Sequence, residues 1–283
     1  MVITKSQTEK LKSLFADHEG QIEFEYGMRY GKPSLESAID RLTEKGCTRI
    51  LLFPMYPQYS GPTTASTYDS VFTHILKRRV VPTLRVAEPY YRKKIYIDVL
   101  AAVINENLDK MPDKPEYLII SFHGIPLRYI TNGDVYCCMC TETKDALVKK
   151  LNFPKDKIIQ TYQSRFGKEP WLTPYADETV IKLAKKNVKN IAIAAPGFTT
   201  DCLETIDELG TEAEHAFKEH GGEKLTLIPC LNDHTLWIEG MKDLIKTELG
   251  SWLDKEADYY PQECGSACAI KCPIDEHEIS NLR

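Results

Sequence analysis

Short apolar runs alternate with amphipathic stretches along most of the chain. Ile22-Glu23-Phe24-Glu25-Tyr26 alternates with period two. Arg49-Ile50-Leu51-Leu52-Phe53, Thr83 to Ala87, Tyr117-Leu118-Ile119-Ile120-Ser121-Phe122, Lys157 to Tyr162, Asn190-Ile191-Ala192-Ile193-Ala194 and Lys224 to Pro229 are richer in apolar residues. Runs of this length bounded by turn residues read as strands, most of them buried on both faces. Between them, apolar positions three and four apart predict helices at 4–17, 35–45, 91–108, 143–151 and 234–253. Strands alternating with helices at this spacing predict the α/β class, with parallel sheets covered by helices on both faces.

The pattern repeats. Tyr26-Gly27-Met28-Arg29-Tyr30-Gly31-Lys32 is matched 136 positions later by Tyr162-Gln163-Ser164-Arg165-Phe166-Gly167-Lys168. A helix, a buried strand and a proline corner follow each copy: Phe53-Pro54 in the first, Ala195-Pro196 in the second. The expectation is two similar doubly wound lobes around a central cleft, residues 1–115 and 116–253. A cleft of this kind is the usual place for a small-molecule site. Residues 254–283 form a cysteine-bearing tail with too few apolar residues to fold alone.

The second corner carries the most unusual pattern. From Ala195 to Leu209 a Pro-Gly break and two threonines lead into a dense run of carboxylates. Wound at about 100° per residue, Asp201, Glu204, Glu208 and Glu212 fall within an arc of roughly 80°. Leu203, Ile206, Ala213 and Phe217 fall on the other side. An acidic helix face is ordinarily solvated surface. This one starts where a buried strand ends, which is where sites gather in parallel α/β folds.

Composition narrows the function classes. The 283 residues carry a formal net charge of −5, which argues against a nucleic-acid partner. No apolar run approaches a membrane span, and Met1 to Ser6 lacks a signal-peptide core, so the expected location is cytoplasmic. Nine cysteines, clustered in a chain too large to need stapling, suggest metal or redox chemistry more than disulfides. His123 stands where the strand 117–122 stops, beside Gly124 and Pro126. If the lobes set it opposite the acidic helix, one site holds a neutral imidazole and several carboxylates. Such a site binds a divalent cation and accepts protons, as insertion of a metal into a ligand that must lose protons requires.

The motifs together resemble one family. Tyr56-Pro57-Gln58-Tyr59-Ser60, Ser121-Phe122-His123-Gly124-Ile125-Pro126, Gln163-Ser164-Arg165, Pro170-Trp171-Leu172-Thr173-Pro174 and Pro196 to Leu209 are similar, in content and order, to ferrochelatases. The likeness runs from about residue 20 to residue 250. It implies a chelatase-like pair of lobes enclosing a porphyrin, and insertion of ferrous iron, as substrate, into protoporphyrin IX. On the matching positions it implies His123 as metal ligand or acceptor of pyrrole protons, Glu204 as the glutamate facing it, and Glu208 as the next carboxylate on a proton or metal path. Arg29, Tyr59, Trp171 and Phe198 would line or support the porphyrin pocket, aromatic walls suiting a flat macrocycle. Core packing is the alternative for Trp171 and Phe198.

Two departures accompany the resemblance. Cys202 stands where some relatives have histidine, and its position predicts packing rather than metal ligation. The family ordinarily opens with a strand and a Leu-Gly-x-Pro loop that form part of the pocket lip, and no segment here matches it, so the first lobe is expected to be incomplete at its start. Alternatives remain: a chelatase for coproporphyrin or a precorrin-type ring, or a tetrapyrrole- or metal-binding remnant without catalysis. Cys137, Cys138 and Cys140, placed in the loop after His123, and Cys264, Cys268 and Cys272 in the tail are candidate ligands of a [2Fe–2S] cluster, which some ferrochelatases carry. Structural zinc and unligated thiols are the rivals. Cys47 and Cys230 read as buried thiols. Peripheral membrane contact and a monomer or homodimer are both compatible with the sequence.

Overall fold

A computed structural model describes residues 1–18 and 20–253. In chain order its elements are α1 (Val2–Leu14), α2 (Leu35–Glu44), β1 (Arg49–Leu52), α3 (Ser66–Ile75), β2 (Thr83–Val86), α4 (Lys94–Lys110), β3 (Tyr117–His123), α5 (Leu127–Thr131), α6 (Tyr136–Val148), β4 (Ile158–Gln163), α7 (Ala176–Ala184), β5 (Asn190–Ala194), α8 (Leu203–Thr205), α9 (Ala213–Glu219), β6 (Lys224–Leu227) and α10 (Thr235–Leu249). Met1–Glu248 form one compact unit; of the second, only the end of α10 and the turn Gly250–Leu253 are described.

Every strand pair is parallel. β1 lies beside β2, and a four-stranded sheet runs in the order β4-β3-β5-β6. Flanked on both edges and covered on both faces, β3 buries Leu118, Ile119, Ile120 and Phe122 completely. From β3 the chain goes to one side, makes β4, then passes back over β3 to β5. The order therefore reverses between β3 and β5, and parallel sheets open a crevice beyond the strand ends at that point. His123 ends β3 there.

The smaller sheet is packed by α2 and α3 through Ile39, Ile50, Val71 and Ile75. Ser34 starts α2 by accepting a hydrogen bond from the Ser37 N–H at 3.2 Å. The repeat is visible in the backbone: Gly31 (φ 103°) and Gly167 (φ 75°) both occupy the left-handed region that favours glycine. In each copy a residue's N–H then closes on a proline carbonyl just before the next helix, Met28 on Pro33 and Tyr162 on Pro174, both at 2.8 Å. The two proline corners meet, since Thr199 Oγ1 donates to Met55 O at 3.2 Å. Nearby, the Tyr96 hydroxyl donates to Pro196 O at 2.5 Å.

Several elements differ from expectation. Ile22–Tyr26 is extended but pairs with no strand among the described residues. Alternation predicts which face is buried, not whether a sheet edge lies within reach. Glu25 pairs instead with Arg41 and Lys45, and Glu23 with Lys45. The first helix docks on the β6–α10 connection: buried Gln7 donates to Asn232 O at 2.6 Å, and Ser6 and Lys10 bond Asp233. Helix α6 begins at Tyr136, before the expected 143; Asp134 Oδ1 accepts the Tyr136 N–H there at 2.9 Å, satisfying one of the helix's first free donors. Cys137, Cys138 and Cys140 therefore lie on a helix rather than in a loop.

Candidate active site

His123 is half-buried at the C-terminal end of β3. Its Nδ1 lies 2.6 Å from Gly124 O. A carbonyl only accepts, so in the neutral ring Nδ1 carries the proton and Nε2 presents a lone pair. Gly124 N donates to Gln163 O at 2.7 Å, and Gln163 is the register partner of His123 across the β3–β4 pair. Side chains of register partners in a parallel sheet project from the same face. The Gln163 amide, on that face, donates Nε2 to Glu204 O at 2.5 Å. These bonds couple the histidine end of β3 to the start of the acidic helix.

That helix differs from the idealised winding. Cys202 is its N-cap, extended at φ −147°, and Thr205 Oγ1 accepts the Cys202 N–H at 3.0 Å. Asp201 thus stands outside the helix rather than on its acidic face. Its carboxylate accepts from Cys230 N at 3.0 Å and Asn232 Nδ2 at 2.6 Å, pinning the corner to the β6–α10 connection. Ile206–Glu212 is wound as a π-helix, a form that recurs at functional sites. Leu203 and Ile206, expected on the apolar back, are 78% and 56% exposed. The buried side begins later, with Leu209, Ala213 and Phe217. Glu204 is exposed, and Glu208 is half-buried with its carboxylate accepting the Ser164 N–H at 2.6 Å and the Ser164 hydroxyl. Ser164 adopts φ 62°, a left-handed conformation that aims both donors at Glu208. Asp207 and Glu212 are exposed. Burial, then the neighbouring Glu204 carboxylate, pushes the Cys202 thiol up to about 11.

The expected pocket residues fall on several elements. Phe198 is half-buried on the loop after β5, its ring centroid 6.4 Å from that of His123. Trp171 covers Gly124, where a Cβ would meet its ring at 3.2 Å and Gln163 O at 2.9 Å. Tyr59 is half-buried, and its N–H approaches Met139 Sδ at 3.3 Å. Arg29 donates Nε to Ser66 Oγ at 2.7 Å and lies over the Tyr30 ring. Its repeat counterpart Arg165 turns instead to Asp177 and Glu178. Burial pushes the Tyr56 phenol up; the nearby Tyr30 and Glu204 add to this and Arg29 opposes it. Gln163, Ser164 and Tyr56 lie within the quoted motifs without an assigned role. The signal for the first two is their place at the end of a parallel strand.

The cysteines separate by exposure. Cys140 is fully buried, and burial pushes its thiol well up. Cys138 is exposed, and Cys137, half-buried, brings its Sγ within 3.9 Å of Cys138 Sγ. Asp134 ties this end of α6 to the Tyr56–Gly61 loop, accepting from Ser60 Oγ and Gly61 N, both at 2.8 Å. Cys230 is buried as expected, whereas Cys47 is only half-buried. Cys264, Cys268 and Cys272 lie outside the described residues. Among the described residues, no three His, Cys, Asp or Glu side chains form a ready-made metal cage.

Comparison with solved structures defines the class first: the fold is that of the chelatases. SirB from Bacillus subtilis with Fe3+ superposes with a TM-score of 0.62 at 13% identity, covering 88% of this chain and 89% of that one. The sirohydrochlorin chelatase SirB from Bacillus subtilis subspecies spizizenii, in complex with cobalt, gives 0.58 at 10% identity, covering 89% and 91%. Sequence then fixes the family. The Ferrochelatase family model matches residues 1–249. The ferrochelatase of Rhodopseudomonas palustris (strain ATCC BAA-98 / CGA009) is 45% identical over 251 residues, 89% of this chain and 72% of the relative. That of Brucella ovis is 44% identical over 250 residues, 88% and 71%. The chain belongs to the ferrochelatase family. No helix among the described residues is long and apolar enough to cross a membrane.

Proposed function

We propose that this chain inserts ferrous iron into protoporphyrin IX, giving protohaem and releasing two protons. The observation that carries the reading is His123, at the sheet's reversal point with Nε2 free of its Gly124 bond and coupled through Gln163 to Glu204. In this role His123 and Glu204 take the pyrrole protons and hold the incoming ion transiently, its other ligands being water or porphyrin nitrogens. Glu208, one turn further, extends the carboxylate path. Phe198, Trp171 and Tyr59 bury the macrocycle faces, and Arg29 and Tyr56 close the opposite wall. Bending the ring in this cleft exposes a nitrogen lone pair to the metal, which is a positioning effect. The two lobes, 1–115 and 116–253, supply the opposing walls, in the cytoplasm. Mixing the protein with ferrous iron and protoporphyrin IX without oxygen tests the reading: a haem absorption spectrum forming at an enzyme-dependent rate supports it, and porphyrin binding without metallation overturns it in favour of a binding remnant.

The same reading includes a [2Fe–2S] cluster held by Cys264, Cys268, Cys272 and one thiol of α6. Cys137 and Cys138 fit as the fourth ligand by position, being half-buried and exposed thiols in the first turn of α6; burial and the neighbouring Cys138 push the Cys137 thiol up, so a bound metal would have to displace its proton. Cys140 does not fit, since its sulfur is sealed in the core. Such a cluster would supply a redox-active, coloured centre at the tail. Protein purified anaerobically should then be coloured and contain iron and acid-labile sulfide in equal amounts; a colourless sample with neither contradicts it.

A further inference from the structure

Gln163 ends β4 and is 3% exposed; it links His123 to Glu204 but itself touches neither metal nor porphyrin in the proposed reaction. Three of its polar atoms bear on the site. Its carbonyl holds Gly124 N at 2.7 Å, and its amide Nε2 donates to Glu204 O at 2.5 Å. Its Oε1 is buried without a hydrogen-bond partner. The first two bonds join a third, His123 Nδ1 to Gly124 O at 2.6 Å, so that the Gly124 and Gln163 residues bridge the imidazole to the main-chain carbonyl of Glu204. The next residue works in parallel, because Ser164 grips the Glu208 carboxylate through its N–H and hydroxyl. The last residue of β4 and the residue after it thus hold two glutamates four positions apart.

Burying an amide with a bare oxygen costs on the order of 1–3 kcal/mol, which an apolar side chain of the same length would avoid. Packing alone does not account for the amide. Glu204 lies in a three-residue helical turn before a π-helical stretch, and its neighbours Leu203 and Ile206 are exposed, so little core packing fixes its place. We propose that Gln163 is a positioning residue, its amide setting the spacing between His123 and Glu204 across which protons leave and metal enters. The inference rests on the chelatase reading above, and the amide acts only through those two residues.

Displacing a reacting group by about 1 Å can cost on the order of a hundredfold in rate. Gln163→Met, of equal length but without a donor, is therefore expected to lower kcat for zinc or iron insertion into protoporphyrin IX at least about tenfold, with porphyrin KM within about twofold. Gln163→Glu supplies a readout that a structural role would not move. Its new carboxyl donates to Glu204 O only when protonated, so its rate relative to wild type should rise as pH falls, while that of Gln163→Met stays flat. Unchanged kcat in folded Gln163→Met overturns the proposal, as does a pH-independent ratio for Gln163→Glu; the second decides alone if the methionine variant fails to fold. A wild-type protein that does not metallate porphyrin overturns the underlying reading, whereas normal variants beside an active wild type overturn this proposal only.

Discussion

Gly124 is where the sheet, the histidine and the tryptophan come closest. Its missing side chain lets Gln163 O and the Trp171 ring approach to distances that a Cβ could not tolerate without movement. Gly124→Ala should destabilise the fold by about 1–3 kcal/mol through overpacking, and should also lower metallation because the Gly124 carbonyl orients His123. Thermal unfolding and turnover measured together check this; an unchanged melting temperature with normal activity contradicts it. At this scale His123 was legible, because a histidine beside Gly and Pro at the end of an apolar run marks a strand terminus whatever the register. Gln163 was not. Its importance depends on which residue of β3 it faces, and pairing register is not written in a single strand. Asp201 was misread for a related reason: helical winding assumes a start, and the start is set by Cys202 and Thr205 capping each other.

Among the elements, strands buried on both faces were the easiest to read. The runs predicted at 49–53, 117–122 and 190–194 became β1, β3 and β5 with ends shifted by a residue or so. Ile22–Tyr26 failed because an alternating segment needs a free edge as well as a buried face. The acidic stretch is helical as expected, but Glu204 falls in a three-residue turn and Glu208 in a π-helical stretch. Its π-helical middle alters the winding, so the predicted apolar back gave way at Leu203 and Ile206 and held from Leu209 onward. Those two exposed residues flank Glu204, where a flat apolar macrocycle would cover them. In α6 a local turn, closed by Asp134 on the Tyr136 N–H, lets the helix start early and puts three cysteines on it rather than in a loop, burying Cys140 while leaving Cys137 and Cys138 within reach of solvent. Caps act over two or three residues and are easily missed by a period that needs a dozen.

For the whole molecule, the internal repeat was the most informative feature of the sequence. It predicted two related halves; of the repeat itself, the left-handed glycines Gly31 and Gly167 stand at matching positions. What it could not show is how unequal the two sheets are, two strands against four, or that α1 docks on the β6–α10 connection. Both depend on contacts between segments far apart in the chain, more than two hundred residues apart for α1, which local pattern does not encode. The central claim is that His123, at the reversal point of the larger sheet, handles protons or metal during porphyrin metallation rather than merely filling the fold. Comparing His123→Ala with wild type for both porphyrin binding, by fluorescence titration, and anaerobic ferrous-iron insertion, by the haem spectrum, tests it most directly. Porphyrin affinity is expected to stay within a fewfold of wild type and metallation to fall by at least about a hundredfold; near-normal turnover in the folded variant would show that His123 only fills the fold.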